Sequence, residues 1–289
     1  MTNTPTPSLV NIPPQRQPAR RVQPQPPVSG DWSSWHLTDE EDMGQSFEQF
    51  DCIQVLLSSL EHLVKERQWA DVVAGSDVFF GWVKSAPLVR ISPDVFLMPW
   101  PQDRPRPSSI QTWRQGHNPP SIAVEIVSED WRKDYEELPP KYEQLDVEEL
   151  LIYDPEGAAR ASTPGIKPPR GARRYAIQRF ARDEEGVWLR THAGDGACRS
   201  SVLGVYLVIV DTEHGPRPRL AFDDRGLDLV PTIEEAADQR AEAADQRAEV
   251  ADQRAEVERR RADSLEAELA TLRAALLARD SPAKGNPSE

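Results

Sequence analysis

Cysteine and long apolar runs are scarce in this sequence. Its 289 residues contain two cysteines, Cys52 and Cys198, which are far apart and lack the spacing of a metal or redox motif. We therefore expect free thiols in a reducing cytoplasm. No apolar run reaches the roughly 20 residues of a transmembrane helix, and the first residues lack the pattern of a secretory signal. The sequence predicts a cytoplasmic protein without membrane association.

Several catalytic motifs are also missing. There is no phosphate-cradling glycine loop and no Gly-x-Ser-x-Gly elbow, which excludes the common nucleotide hydrolases and serine hydrolases. The five histidines have no ligand spacing, which disfavours a zinc site.

Basic residues are fewer than acidic residues, 34 compared with 48. The formal net charge is −14, so binding nucleic acid by neutralising many phosphates is disfavoured. Any contact with a polyanion must be local or metal-assisted. Residues 1–30 are rich in proline and glutamine and carry arginines but no acid. They have too few large apolar groups to order, and we expect a disordered arm.

Hydrophobic periodicity predicts one domain over residues 31–230. Apolar residues at three- and four-residue intervals indicate a helix over 46–66. A short helix is expected over 135–145, where Pro139 and Pro140 would kink or delay it. The segment 99–120 is a proline-rich loop. Together with the strands, this order indicates an α/β or α+β domain with a mixed sheet. The predicted strands are 71–74, 78–83, 89–98, 122–127, 150–153, 174–182, 187–192 and 205–211.

A heptad repeat distinguishes residues 232–279 from the domain before them. The sequence Ala-Asp-Gln-Arg-Ala-Glu-x occurs three times, from Ala237, Ala244 and Ala251. Eleven of twelve seam positions between residues 237 and 276 are apolar, with Glu258 as the exception. This period is typical of a coiled coil that binds a second copy or a partner protein. A lone solvated helix is the alternative, because alanines bury little area, and the leucines should carry most of the association. Residues 280–289 are expected to be a disordered tail.

Two acids interrupt otherwise apolar segments. Asp94 follows Pro93 within 89–98, and Glu125 lies in the middle of 122–127. A buried carboxylate is costly unless it is paired or bound to a metal. Two on neighbouring strands can bind a hard cation such as Mg²⁺, which can generate hydroxide for phosphodiester hydrolysis. A structural ion pair with a nearby arginine or lysine is the alternative.

The order and spacing of these motifs resemble the Uma two (Uma2) family of restriction endonucleases, in the PD-(D/E)XK nuclease superfamily. The resemblance covers about residues 46–230. It implies a mixed central sheet flanked by helices, with Asp94 and Glu125 as ligands of Mg²⁺ or Mn²⁺. The motifs that carry it are Ser92-Pro93-Asp94-Val95, Pro120, Val124-Glu125-Ile126-Val127-Ser128, Asp134, Tyr142 and Val147 to Pro155.

The lysine expected from the resemblance is displaced. The superfamily has a lysine two residues beyond the glutamate, where this sequence has Val127. The family places it on the following helix, four residues after an aspartate matching Asp134, and that position is Leu138. Lys141 and Lys133 are the available substitutes, and Lys141 is preferred because it precedes Tyr142 on the predicted helix. A solvated helix lysine is the alternative. An acid from the first helix, Glu48, is a further candidate for the site.

Two hypotheses follow. The first is a Mg²⁺-dependent DNA endonuclease in which Asp94 and Glu125 hold the metal and Lys141 orients or deprotonates the attacking water. The second is an inactive binding or scaffold protein on the same fold, assembled through its coiled coil. The retained carboxylates favour the first hypothesis; the displaced lysine and the acidic charge favour the second.

Overall fold

The computed structural model describes residues 46–101, 103–128, 131–162 and 174–279. The predicted arm, residues 1–30, and the predicted tail, residues 280–289, lie outside the described ranges. The chain divides into two compact units, Met1–Val230 and Pro231–Glu289. Within the described ranges, no helix combines the length and apolar character needed to cross a membrane.

The first unit combines helices and short strands. Its α-helices are α1 (Phe47–Glu66), α2 (Leu138–Leu145) and α3 (Pro155–Ser162), with a π-helical turn at Lys133–Glu137. Its strands are β1 (Val72–Gly75), β2 (Phe79–Gly81), β3 (Arg90–Ile91), β4 (Val95–Pro99), β5 (Ser109–Gln111), β6 (Ile122–Ile126), β7 (Glu149–Tyr153), β8 (Ile177–Arg182), β9 (Trp188–Gly194), β10 (Cys198–Arg199), β11 (Tyr206–Thr212) and β12 (Gly215–Ala221).

A six-stranded mixed sheet forms the centre of this unit. Its strand order is β1-β4-β6-β7-β8-β9, with β6 and β7 parallel and the other neighbours antiparallel. Two small sheets, β10-β11-β12 and β3-β2-β5, accompany it. The predicted fold class, a mixed central sheet flanked by helices with a long C-terminal helix, is confirmed.

The central sheet is covered on both faces. Side chains alternate along a strand, so Ile122, Val124 and Ile126 of β6 join the apolar core that contains α1 and the β10-β11-β12 sheet. Ala123 and Val127 join the opposite core, which contains α2 and the β3-β2-β5 sheet. All five residues of β6 are buried. An acid within this strand is therefore forced into the protein interior.

Helix α1 is amphipathic and capped. The Ser46 hydroxyl accepts a hydrogen bond from the backbone N–H of Gln49 at 3.1 Å, which satisfies one of the free N–H groups of the first turn. Its buried residues recur at helical spacing and pack on the sheet. The helix ends at Glu66, and Gln68 adopts a positive φ of 54°. At its other end, the Gln49 side chain reaches the Ile126 carbonyl oxygen, so the first turn of α1 lies beside the end of β6.

The proline pair is accommodated at the start of α2. Neither Pro139 nor Pro140 can donate a backbone hydrogen bond, so the preceding turn is wider and the Leu138 N–H bonds to the Lys133 carbonyl, five residues earlier. Regular α-helix then continues to Leu145. The prolines thus delay the α-helix, as predicted from the sequence.

Some elements differ from the sequence-based expectation. The proline-rich segment contains β5, and the predicted strand 89–98 is split into β3 and β4 by Pro93 and Asp94. The turn pair Asp154-Pro155 ends β7 but also starts α3, because the Asp154 carboxylate accepts the Gly157 N–H at 2.9 Å. Proline suits the first position of a helix.

The second unit contains one long helix, α4 (Ile233–Arg279). A reciprocal capping pair starts it. The Thr232 hydroxyl accepts the Glu235 N–H at 3.1 Å, and the Glu235 carboxylate accepts the Thr232 N–H at 2.8 Å. The heptad repeat is helical throughout. Its seam leucines are all exposed, at 52% for Leu265 and Leu269, 61% for Leu272 and 59% for Leu276.

Candidate active site

Asp94 and Glu125 lie next to each other where β4 and β6 pair in the central sheet. Strands β4 and β6 are antiparallel neighbours, and Val95 pairs with Val124. Continuing this register by one residue places Asp94 opposite Glu125. Both side chains are more than nine-tenths buried. The structure therefore brings the two predicted carboxylates together.

Backbone and side-chain donors hold Asp94 in place. The Ile126 N–H donates to Asp94 Oδ2 at 2.8 Å. The Gln49 amide nitrogen lies 3.3 Å from each Asp94 carboxylate oxygen and 3.5 Å from the Ile126 carbonyl oxygen. Three oxygen atoms thus surround one donor nitrogen from α1. The Asp94 carboxylate is oriented from two sides.

Glu125 is held by a tyrosine of α2. The Tyr142 hydroxyl donates to Glu125 Oε1, and both side chains lie inside the protein. The Asp94 and Glu125 carboxyl groups are also close enough for each to shift the pKa of the other. Hydrogen bonds from Tyr142 thus hold Glu125, and hydrogen bonds from Gln49 and Ile126 hold its neighbour Asp94.

Burial raises the pKa of both carboxyl groups. The pKa of Asp94 rises to about 6, although the hydrogen bonds from Ile126 and Gln49 oppose the shift. The pKa of Glu125 is raised well above its ordinary value, first by burial and then by the negative charge of Asp94. The Tyr142 pKa is likewise raised by burial and by Glu125. Because the negative charge of Asp94 raises the pKa of Glu125, Glu125 is the member of the pair that loses its proton at the higher pH.

Asp134 provides a third negative charge nearby. It is buried at the π-helical turn, where its Oδ2 accepts the Ser128 N–H at 2.7 Å and the Ser128 hydroxyl at 3.0 Å. Its charge contributes to raising the pKa of Asp94 and of Glu125. Asp134 therefore ties the start of the α2 region to the end of β6, beside the carboxyl pair.

The lysine candidates occupy the same helical region. Lys141 is buried in α2, next to Tyr142 in sequence. Over the described part of the chain, no hydrogen bond or ion pair connects it to Asp94 or Glu125. Val127, at the usual lysine position, is buried in the apolar core. The role predicted for Lys141 stays a prediction.

The first helix contributes Gln49 rather than an acid to the contacts of Asp94. The neighbouring Glu48 carboxylate is half exposed and pairs with Arg217 at 2.6 Å. Adjacent residues point about 100° apart on a helix, which explains why one faces the pair and the other faces β12. The role predicted for Glu48 in the site remains a prediction.

Gln49 and Tyr142 were not identified as site residues by sequence reasoning. Gln49 lies three residues before Cys52 and four before Ile53, which are both buried. A polar residue on the apolar face of the first helical turn was the available signal. Tyr142 belongs to the motif that carries the Uma2 resemblance, but the motif alone does not reveal its hydrogen bond to Glu125.

The site offers oxygen ligands for a hard divalent cation. Among the described residues, no group of three or more histidine, cysteine, aspartate or glutamate side chains is arranged to hold a metal ion. The pair nevertheless has two carboxylates with the Ile126 carbonyl oxygen nearby, and buried like charges of this kind favour either a proton or a cation. The donor chemistry therefore fits Mg²⁺ or Mn²⁺ through Asp94 and Glu125.

Comparison with known families agrees with the motif reading. The Uma2 family model, described as "Putative restriction endonuclease", matches residues 40–162. The chain resembles the Uma2 family. The Uma2 match includes Asp94, Glu125, Asp134 and Tyr142 and ends with α3, whereas the motif-based resemblance extends to about residue 230. The predicted resemblance is confirmed, and a nuclease-like assignment is supported at this coarse level.

Among solved structures, the chain is similar to one described as a putative nuclease belonging to DUF820 from Anabaena variabilis ATCC 29413. The two share 13% sequence identity, and the match covers 56% of this chain and 75% of that chain with a TM-score of 0.34. No curated protein matches this chain.

Proposed function

We propose that this protein is a metal-dependent DNA endonuclease that hydrolyses phosphodiester bonds at the Asp94–Glu125 pair. The observation that carries the proposal is the burial of two adjacent carboxyl groups at the pairing of β4 and β6, held by Gln49 and Tyr142. Such a pair carries a large desolvation cost in the protein interior. A structural role would not require two acids against each other, whereas cation binding does. The Uma2 match supports the same activity.

Each side chain has a distinct task in this proposal. Asp94 and Glu125 would hold Mg²⁺ or Mn²⁺, and a bound cation of this kind activates water and stabilises charge on a phosphate. Tyr142 orients Glu125, and Gln49 orients Asp94. Lys141 would orient or deprotonate the attacking water, as predicted from the sequence.

The net charge limits how DNA can be engaged. At −14, the chain lacks the excess of basic residues needed for tight binding through many phosphates. We therefore expect DNA affinity to depend on the divalent cation and to be weak in its absence. Weak binding would also permit release of the cleaved strands.

Cleavage of plasmid DNA tests the proposal. The wild-type chain should nick or linearise the plasmid in Mg²⁺ or Mn²⁺ and should be inactive in chelator. Asp94→Ala and Glu125→Ala should each abolish cleavage, while Glu143→Ala, which removes an exposed acid of α2, should leave it unchanged. Undiminished cleavage by either site variant, or in chelator, would disprove the assignment.

A second function, as an inactive binding or scaffold protein, is favoured by one observation. Val127 occupies the usual lysine position and is buried in the apolar core, so no lysine can act from that place. The scaffold hypothesis predicts a Mg²⁺-induced rise in thermal stability without DNA cleavage under any tested condition. Cleavage that depends on Asp94 would exclude it.

A further inference from the structure

The heptad seam of α4 is an exposed apolar stripe. Its four leucines lie on one helical stripe, and each is more than half exposed in the single chain. A 47-residue helix with such a stripe on one side presents an apolar face that a second helix can cover. The charged residues on either side of this stripe indicate which helix can cover it.

We infer that the partner is a second copy of this chain, aligned parallel and in register with the first. This inference is independent of the proposed nuclease activity. With Ala241 at heptad position a and Ala244 at position d, the seam continues to Leu272 and Leu276. In this orientation each of the four seam leucines faces its own copy in the partner helix.

The flanking charges are complementary in this alignment. In a parallel pair, each g residue contacts the e residue five positions later in the partner helix. Four of the five contacts join opposite charges, and each occurs twice in the dimer. The attractive contacts are Arg240 with Asp245, Arg247 with Asp252, Arg261 with Glu266, and Glu268 with Arg273; the like-charged one is Arg254 with Arg259.

An antiparallel pair is less complementary. If the seams overlap so that Ala248 faces Leu265, Asp245 meets Glu266 and Arg254 meets Arg261. Four of ten contacts are then like-charged, compared with two of ten in the parallel pair. Each leucine would also face an alanine, which reduces the apolar area buried at each layer.

The one like-charged contact surrounds the one acidic seam residue. Glu258 occupies position d, and the side chains that flank a d layer are the e residue, Arg259, and the partner's g residue, Arg254. In register, two glutamates therefore lie among four arginines. A shift by one heptad separates Glu258 from its copy and breaks up this set of charges. The charged layer thus specifies the register, as single polar core residues do in other coiled coils.

Solution mass and crosslinking test the orientation on the full chain. The wild-type protein should have twice its chain mass of 32.5 kDa. Ala244→Cys, at a d position, should form a covalent dimer on treatment with oxidised glutathione, because facing d residues approach within disulfide range. Gln246→Cys, at the outer f position, and the wild type, whose two cysteines are buried, should not.

Charge reversal at two neighbouring arginines, Arg259 and Arg260, tests the role of the Glu258 layer. Arg259 and Arg260 both pair with Glu256 within the helix, so Arg259→Glu and Arg260→Glu lose the same local partner, but only Arg259 flanks Glu258. Arg259→Glu should change the dimer dissociation constant by roughly tenfold, because it alters both the charge beside Glu258 and the contact with Arg254, whereas Arg260→Glu should change it by less than about twofold. Glu258→Leu should lower the constant.

Each outcome supports or overturns one part of the inference. A monomeric wild-type mass would overturn self-association. A dimer in which Ala244→Cys fails to crosslink, while the Ala244→Cys and Leu269→Cys double variant does, would overturn the parallel orientation. Equal effects of the two arginine reversals would overturn the role of the Glu258 layer.

Discussion

The Tyr142 hydroxyl donates a hydrogen bond to Glu125 within the protein interior, and it links α2 to the carboxyl pair of the central sheet. This bond favours the ionised form of Glu125 and so opposes the rise in the pKa of that group. Tyr142 therefore acts on the site through Glu125, as a positioning residue.

Tyr142→Phe should retain the fold and weaken the site. Without the hydroxyl, the pKa of Glu125 rises further, so Mg²⁺ must displace a more tightly held proton. We expect a higher Mg²⁺ concentration for half-maximal cleavage, by roughly tenfold, and a shift of the acidic limb of the pH profile to higher pH. Tyr135→Phe, which removes a hydroxyl bonded to Asp154 instead, is the control. Identical pH profiles for wild type and Tyr142→Phe would contradict this role.

The carboxyl pair should make the metal-free protein less stable as pH rises. A folded-state pKa of about 6 for Asp94 lies above the value of about 4 in the unfolded chain. The folded state therefore binds more protons between these values, and stability falls as pH increases through this window. Asp94→Asn removes the ionisation, and we expect it to be more stable than wild type at pH 7 by a few kcal/mol in order of magnitude.

Thermal unfolding in chelator at pH 4 and pH 7 checks this prediction. The difference between Asp94→Asn and wild type should be small at pH 4 and large at pH 7. Mg²⁺ should raise the Tm of the wild type and leave that of Asp94→Asn nearly unchanged. A variant that follows the wild type at both pH values would show that the pair is not destabilising.

A second buried acid has a structural role and should behave differently. Asp154 is fully buried and accepts two hydrogen bonds from Arg174 at 2.7 Å, one from Tyr135 and one from the Gly157 N–H. Arg174→Met leaves this carboxylate without its cation and should cost about 3 kcal/mol in unfolding free energy. Arg160→Met removes the i,i+4 pair with Glu156 and should cost under about 0.5 kcal/mol. Equal losses in urea unfolding would show that Arg174 is dispensable.

Lys141 remains the candidate for the displaced lysine. If it assists the attacking water, Lys141→Ala should reduce kcat by about a hundredfold or more, with a smaller effect on KM. Lys133→Ala, at the π-helical turn, should reduce cleavage less. A larger loss in Lys133→Ala would transfer the role to that residue.

The sequence predicts those parts of the fold and site that depend on local pattern. Hydrophobic periodicity identifies α1 and α4. Asp94 and Glu125 are identified because each lies within an apolar run, and such a run predicts burial without any knowledge of which strands pair. Sheet pairing is not local. Which turn of α1 meets the end of β6 depends on contacts between residues 77 positions apart, such as Gln49 with Ile126. The short strands β5 and β10 have too few residues for a period to be read.

Two neighbouring residues of the first helix, Glu48 and Gln49, have different contacts. The Gln49 amide contacts Asp94 and Ile126, whereas Glu48 pairs with Arg217 on the half-exposed side of the helix. Gln49→Ala should therefore weaken cleavage and raise the Mg²⁺ requirement, because Asp94 loses an orienting donor. Glu48→Ala should cost at most about 1 kcal/mol in stability, through its ion pair, and should leave the Mg²⁺ requirement unchanged. Gln49→Glu adds a third carboxylate beside Asp94, so it should lower the Tm in chelator and restore it in Mg²⁺. If Glu48→Ala instead abolishes cleavage with a normal Tm, the acid of the first helix predicted from the sequence completes the site after all, and Gln49 has only a structural role.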